Sequence, residues 1–142
     1  MKTVRQLLAT KNNVLRTIGS GVHVIEALKL MATYDIGALL VVDEGKLVGI
    51  LSERDYARKV ALLGKSSADV TAAEIMTTKV TSVSPGQTVD ECMKLMSDGR
   101  FRHLPVLEDG NLIGVLSIGD LVKEVISEQA AVIQHLEHYI QS

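Results

Sequence analysis

The sequence has few aromatic residues: no tryptophan, one phenylalanine and three tyrosines in 142 positions. Since 46% of the chain is nonetheless hydrophobic, any core must be aliphatic, built from Val, Leu, Ile, Met and Ala. There is one cysteine, so no internal disulfide can form, and a reducing compartment is expected. Cys92 falls on a helix face beside Met93 and Met96 and reads as a small buried hydrophobe. A redox sensor would instead need a basic, accessible setting. Neither sign of charge dominates: the net charge of −2 excludes a general electrostatic grip on nucleic acid or on an anionic membrane surface. No apolar run approaches the ~20 residues that span a bilayer. The start carries Lys2 and Arg5, but its apolar stretch is only Leu7-Leu8-Ala9, too short for a secretory signal. Residues 1–25 hold cations and no acid, a faint likeness to a transit peptide. The first strand, expected near Val14, leaves little to cleave, and a cytoplasmic location is expected.

What the chain does contain is itself, twice. Gly49-Ile50-Leu51-Ser52-Glu53-Arg54-Asp55 returns as Gly114-Val115-Leu116-Ser117-Ile118-Gly119-Asp120, 65 residues later. That offset holds without a gap from Val24–Val60 to Val89–Val125, and 14 of the 37 aligned pairs are identical. Ordinary composition would give about three. Two copies are too few for a solenoid and suggest a pseudo-symmetric pair packed face to face.

Each copy reads as β-α-β-β-α, an α/β (α+β) arrangement, with units at 1–68 and 69–142. In the first, a helical turn over Thr3–Ala9 and a Lys11-Asn12-Asn13 loop lead to an apolar strand, Val14–Ile18. A helix over His23–Tyr34 carries Val24, Ala27, Leu28 and Met31 at helical spacing. Strands Ile36–Val42 and Leu47–Leu51 flank hairpin chemistry at Asp43-Glu44-Gly45-Lys46. A second helix is expected from a Ser52 cap to Leu63, stopping at Gly64. In the second copy the matching parts are a turn at Ala72–Met76, a strand at Val80–Val83, a helix opened by Thr88-x-x-Glu91, strands Phe101–Leu107 and Leu112–Leu116, and a helix from Ser117. That last helix runs on through Val122, Val125, Ile126, Ala130, Ile133, Leu136 and Ile140, and such a length needs a surface to pack on. A second subunit is expected.

The duplicated motif has two readings. Ser-x-x-Asp before an apolar-periodic segment is a capping box, common in any protein. Gly49 and Gly114, however, sit inside buried strands where glycine weakens packing, which implies either a bulge or room for something to approach the backbone. Just beyond each lies a helix N-terminus suited to a phosphate. Asp55 and Asp120 each offer two carboxylate oxygens, enough for both hydroxyls of a ribose. These residues fit a nucleotide better than a reaction.

Together with Glu26-Ala27-Leu28-Lys29-Leu30-Met31, Glu91-Cys92-Met93-Lys94-Leu95-Met96, Ala73-Glu74-Ile75-Met76-Thr77 and His103-Leu104-Pro105-Val106, the doubled Gly-h-h-Ser-x-x-Asp resembles a tandem CBS-domain pair, the Bateman module, over nearly the whole chain. The resemblance implies two repeats packed sheet to sheet about a pseudo-twofold axis. It further implies two clefts for adenosine-containing ligands (AMP, ADP, ATP, NAD or S-adenosylmethionine) and pairing into homodimers. By the same resemblance Asp55 and Asp120 bind ribose, and Ser52 and Ser117 contact ribose or phosphate. Gly37 and Ala38 would line the adenine slot of one cleft, Arg102 and His103 that of the other, and Thr17 and Ser82 would touch the base edge. The chain departs from the family pattern at Leu40, where proline is usual.

The two sites are not equivalent in sequence. Arg54, beside Ser52, is either a solvated helix-face cation or a phosphate ligand. Its counterpart Gly119 can be neither. Arg100, Arg102 and His103 are cations of the second repeat only, and could serve the far end of a ligand held by the first. His103 is either a packed strand histidine or a ligand contact. His135-x-x-His138 makes a poor metal site without further ligands, so no metal is expected. Tyr56 and Tyr139 read as packing residues.

Three functions follow. The favoured one is a non-catalytic sensor whose clefts bind an adenine nucleotide and which modulates a partner protein or its own assembly. The alternatives are a structural dimerisation module without a physiological ligand and, least supported, an enzyme subunit. No Cys/His or Ser/His/Asp set has a plausible catalytic spacing, and no catalytic residue is assigned.

Overall fold

The computed structural model describes residues 2–11 and 14–141, the last without its side chain; Asn12 and Asn13 of the expected loop lie outside the described residues. The elements are α1 (Val4–Thr10), β1 (Thr17–Ile18), α2 (Val24–Tyr34), β2 (Ala38–Asp43), β3 (Lys46–Ser52), α3 (Glu53–Tyr56), α4 (Ala72–Ile75), α5 (Val89–Gly99), β4 (His103–Glu108), β5 (Asn111–Ser117) and α6 (Ile118–Gln141). The duplication is visible in the pairing. β2 and β3 meet from Ala38↔Ser52 to Asp43↔Lys46, and β4 and β5 from His103↔Ser117 to Glu108↔Asn111. Both ladders slip at the same place, between Val41 and Val42 and between Val106 and Leu107, so Gly49 and Gly114 each flank a bulge. Both hairpins turn on two residues with positive φ, Glu44-Gly45 and Asp109-Gly110, the conformation that matches strand twist.

Helical spacing buries the same stripe in each copy: Val24, Ala27 and Met31 on α2, Val89, Cys92 and Met96 on α5. Both helices end in a left-handed residue, Asp35 and Arg100. Ile36 N–H then donates to Met31 O at 3.0 Å and Phe101 N–H to Met96 O at 3.1 Å, closing each helix end. Cys92 is fully buried in this aliphatic core, and burial, followed by Glu91, pushes its thiol up to about 11. It is an inert core residue.

The entering strands are shorter than the apolar runs suggest. β1 pairs parallel with β2 only at Thr17 and Ile18, and in the second copy Val83 forms a single bridge to Val106. Pro105 explains the second case. Its carbonyl accepts from Val83 N–H at 2.9 Å, but the ring nitrogen on that same edge has no hydrogen to extend the ladder. The helix expected from Ser52 to Leu63 is also altered. α3 lasts four residues and passes into a π-helix over Ala57–Ala61, with Leu62 N–H reaching Ala57 O at 3.0 Å. Gly64, with φ +71°, ends it.

The two cores exchange their helical leaders. Val4, Leu7 and Leu8 of α1 pack with Val83, Val89, Cys92, Leu104 and Leu121 of the second copy. Val70, Ala72 and Ile75, around α4, pack with Ile18, Val24, Leu39 and Leu51 of the first. Backbone bonds lock the exchange: Val4 N–H to Gln87 O (2.8 Å) and Val89 N–H to Lys2 O (3.1 Å) on one side, Val24 N–H to Val70 O and Ala72 N–H to Val22 O (both 2.8 Å) on the other. Each core therefore draws one short helix from across the boundary expected between residues 68 and 69. The start of α6 is held by Leu121 in the second core, but Ile126, Ile133, Leu136 and Ile140 are exposed.

Candidate functional site

Both serines close a strand and open a helix. Ser52 Oγ accepts from Asp55 N–H at 3.1 Å while Ser52 N–H donates to Asp55 Oδ2 at 3.0 Å. Ser117 and Asp120 repeat this at 3.2 and 2.8 Å. The bland capping reading is thus correct for both copies. The first N–H of each helix is also taken: Glu53 donates to Gly37 O (3.1 Å) and Ile118 to Arg102 O (2.8 Å). The phosphate seat expected at these N-termini has less donor capacity than the motif implied, because strand carbonyl and serine each claim one of its N–H groups.

Between the halves lie two clefts. One, of about 430 Å³, has a wall of Ile36, Gly37, Ala38, Leu40, Ile50 and Val115, with Asp120, Ser117, Lys11, Arg16, Asp35 and His103 at its polar side. The other, of about 340 Å³, is lined by Ser52, Glu53, Arg54, Asp55 and Thr77 from one side and Arg100, Phe101, Arg102 and His103 from the other. Gly37, Ile50 and His103 belong to both. Cross-strand pairing at the end of each ladder, Ala38 beside Ser52 and His103 beside Ser117, sets this arrangement.

The two carboxylates differ. Asp55 is 8% exposed. Its Oδ2 accepts from Ser52 N–H and Ser52 Oγ, both at 3.0 Å; its Oδ1 meets Lys59 Nζ at 3.0 Å and Thr77 Oγ1 at 3.4 Å. Four donors fill the roughly four lone-pair sites of a carboxylate. Asp120 is more open. Its Oδ2 accepts from Lys11 Nζ at 2.7 Å and Ser117 N–H at 2.8 Å, and its Oδ1 has no hydrogen-bond partner among the described residues. Burial raises the Asp120 pKa, but the hydrogen bonds from Lys11 and Ser117 and the Lys11 charge outweigh it and hold the group below the usual carboxylate value. His103 is held below its ordinary value by burial first, then by Lys11, with Arg102 adding to the effect and Asp120 opposing it.

The structure brings Ser52, Arg54, Asp55, Arg100 and Arg102 together in the smaller cleft, and Gly37, Ala38, Ser117 and Asp120 in the larger. Thr17 and Ser82 line neither cleft. Both are exposed, because the alternation that buries Ile18 and Val83 turns their neighbours the other way. The sequence reading missed Lys11, Arg16, Lys59 and Thr77. The signal for Lys11 was present in a second pair of capping boxes, Thr3-x-x-Gln6 and Thr71-x-x-Glu74, which mark the exchanged leaders as equivalent. Gly49 is explained by both expected causes: beside its bulge, an added Cβ would lie 2.7 Å from Met76 Sδ and 3.0 Å from Thr77 O. Among the described residues no group of three or more His, Cys, Asp or Glu could hold a metal, and His135 and His138 stand on exposed helix. No helix in the described residues is long and apolar enough to cross a membrane.

Comparison with known proteins agrees with this geometry. The family model for the CBS domain matches residues 4–62 and 72–127. The mitochondrial CBS domain-containing protein CBSX3 of Arabidopsis thaliana is 43% identical over 123 residues, 83% of this chain and 60% of that protein, so the chain spans less than two thirds of it. The solved structure of a putative signal-transduction protein with CBS domains from Burkholderia ambifaria is 53% identical, with a TM-score of 0.87 over 90% of this chain and 96% of its own. The CBS domain pair of protein MJ0100, solved in complex with 5′-methylthioadenosine and S-adenosyl-L-methionine, is 28% identical, with a TM-score of 0.79 over 90% of this chain and 98% of its own. With both repeats matched, both cores duplicated and the clefts between them in place, the chain belongs to the CBS-domain family and is a CBS-domain pair, a regulatory module.

Proposed function

We propose that this module is a non-catalytic sensor of an adenosine-containing ligand, taken up in the larger cleft. The observation that carries the reading is Asp120: its Oδ1 is unengaged among the described residues and stands at the polar side of a cleft whose other wall is small and apolar. Gly37 and Ala38 leave space for a flat ring, Leu40, Ile50 and Val115 provide apolar surface, and a carboxylate oxygen accepts from ribose hydroxyls. That the MJ0100 pair was solved with two adenosyl compounds supports this ligand class. AMP, ADP, ATP, NAD and S-adenosylmethionine share the adenosine that the cleft would read.

A ligand alters output only by favouring one arrangement of the two halves over another. The output would pass to a partner protein or to the assembly of the chain itself, and a cytoplasmic setting is the one we retain. The exposed apolar residues of α6 favour a homodimer and give the second reading, a dimerisation module without ligand, its specific support. Thermal denaturation with adenosine, 5′-methylthioadenosine, AMP, ATP and NAD separates the two. Under the sensor reading at least one compound raises Tm by linkage to native-state binding, and Asp120→Ala removes that rise. A Tm unmoved by the whole panel leaves the dimerisation reading.

A further inference from the structure

Asp55 and Asp120 hold matched positions but draw their countercharge from different places. Asp55 meets Lys59, four residues on along its own helical stretch. The 65-residue repeat puts an acid, Glu124, where that lysine would stand, and Glu124 is itself paired with Lys2. The cation on Asp120 is instead Lys11, from the end of the exchanged leader α1. Its ammonium donates to Asp120 Oδ2 and to Val115 O, both at 2.7 Å. In the first copy the matching carbonyl, Ile50 O, is closed by main chain, accepting from Thr77 N–H at 2.9 Å. A lysine side chain thus does in the second copy what a backbone bridge does in the first. Rotation about its side-chain bonds releases it, whereas the bridge cannot open without moving the chain.

Each carboxylate oxygen offers about two lone-pair sites. On Asp120, Oδ2 has both taken, by Lys11 and by Ser117 N–H, while Oδ1 is open among the described residues. One ribose hydroxyl is served by Oδ1 as it stands. A second, reaching for Oδ2, meets Lys11, because Ser117 N–H belongs to the cap of α6 and stays. We infer that Lys11 is a specificity-determining residue of the larger cleft: an internal competitor for the second ribose hydroxyl, which sets how far the cleft tells ribose from deoxyribose. This rests on the sensor reading, with Asp120 as the ribose carboxylate. While Lys11 is seated, adenosine gains little over 2′-deoxyadenosine; once it is displaced, both hydroxyls are held. Lys11 also borders a second opening of about 360 Å³ with Glu124 and Ser127, which gives the displaced ammonium room and an acid to turn to.

The test measures adenosine and 2′-deoxyadenosine binding by isothermal titration calorimetry, on the full chain and on Lys11→Met. Removing the competitor is expected to raise adenosine affinity about tenfold, the worth of one charge-assisted hydrogen bond no longer displaced, and to leave 2′-deoxyadenosine within about twofold. Acetylation of lysine amines by an N-hydroxysuccinimide ester, read by peptide mapping on the unaltered chain, follows Lys11 directly and does not depend on the variant folding. Saturating adenosine should raise Lys11 modification severalfold, 2′-deoxyadenosine should not, and Lys59 should respond to neither. Adenosine affinity unchanged or lowered in Lys11→Met, an equal gain for both nucleosides, or Lys11 shielded by adenosine overturns the inference. Those results leave the sensor reading standing, since it depends on adenosine binding and on its loss in Asp120→Ala. Absence of adenosine binding to both chains removes that reading, and this inference with it.

Discussion

The two clefts were made from the same stretch of chain and have become different sites. Their frames still coincide: both open at a strand-ending serine, both cap a helix with an aspartate three residues on, and both ladders slip at the same bulge. Their linings do not. One has Ala38, Lys11, Arg16 and a half-engaged carboxylate; the other has three arginines and a carboxylate with no spare capacity. Duplication conserves what the core needs, since a change at Leu39 or Leu104 disturbs close packing. The rim positions bury nothing and are free to diverge, and that is where the two clefts part.

The largest expected effect separates the aspartates by binding. Asp120→Ala should reduce the affinity for 5′-methylthioadenosine by roughly 10- to 100-fold, the loss of one or two hydrogen bonds to a charged acceptor, read by calorimetry. An equal loss from Asp55→Asn would erase the distinction between the clefts. Next comes folding. Asp55→Ala leaves Lys59 and the Ser52 cap without their partner and should lower stability by about 2 kcal/mol in urea denaturation. Asp120→Ala, at a more open site, should lower it by about half as much. A reversed order would mean that Asp55 is the less engaged of the two.

Two smaller effects are read by pH. His103 is held below its ordinary value of 6.5 when folded, so the unfolded chain binds more protons in the window beneath 6.5. Its contribution is complete above that window and is lost as pH falls through it. His103→Gln should flatten that part of the stability profile, and an unchanged slope would place the dependence elsewhere. Asp120 works in the same sense at lower pH, its folded value being lowered with help from Lys11. Its contribution is present above the ordinary carboxylate value and is lost as pH falls through the folded one. Lys11→Met should move the Asp120 titration upward in an NMR pH series, so that the loss begins at higher pH. A titration that stayed in place would show that Ser117 alone holds the carboxylate.

Much of the fold was legible because it was written twice. The stripes Val24-Ala27-Met31 and Val89-Cys92-Met96, the two hairpins and the serine caps all follow from local patterns that need no distant partner. The errors share a cause. The strand at Val80–Val83 shrank to one bridge because the missing N–H of Pro105 matters only once the two segments are neighbours. Thr17 and Ser82, exposed where Ile18 and Val83 are buried, line neither cleft. The helix after Ser52 became π-helical past Tyr56, where Lys59 Nζ bonds Ile75 O at 2.8 Å from another segment.

By itself the sequence determined an aliphatic, twice-repeated α/β scaffold with a capped aspartate at the same place in each half, since periodicity, caps and turns act over a few residues. Only the tertiary structure decided that the two helical leaders change places, that Lys11 meets Asp120 while Lys59 meets Asp55, and that Arg54 shares a cleft with Arg100 and Arg102. Those juxtapositions join residues as much as 109 positions apart, as Lys11 and Asp120 are. Their hydrogen bonds and charges become defined only when core packing has closed the two halves on one another.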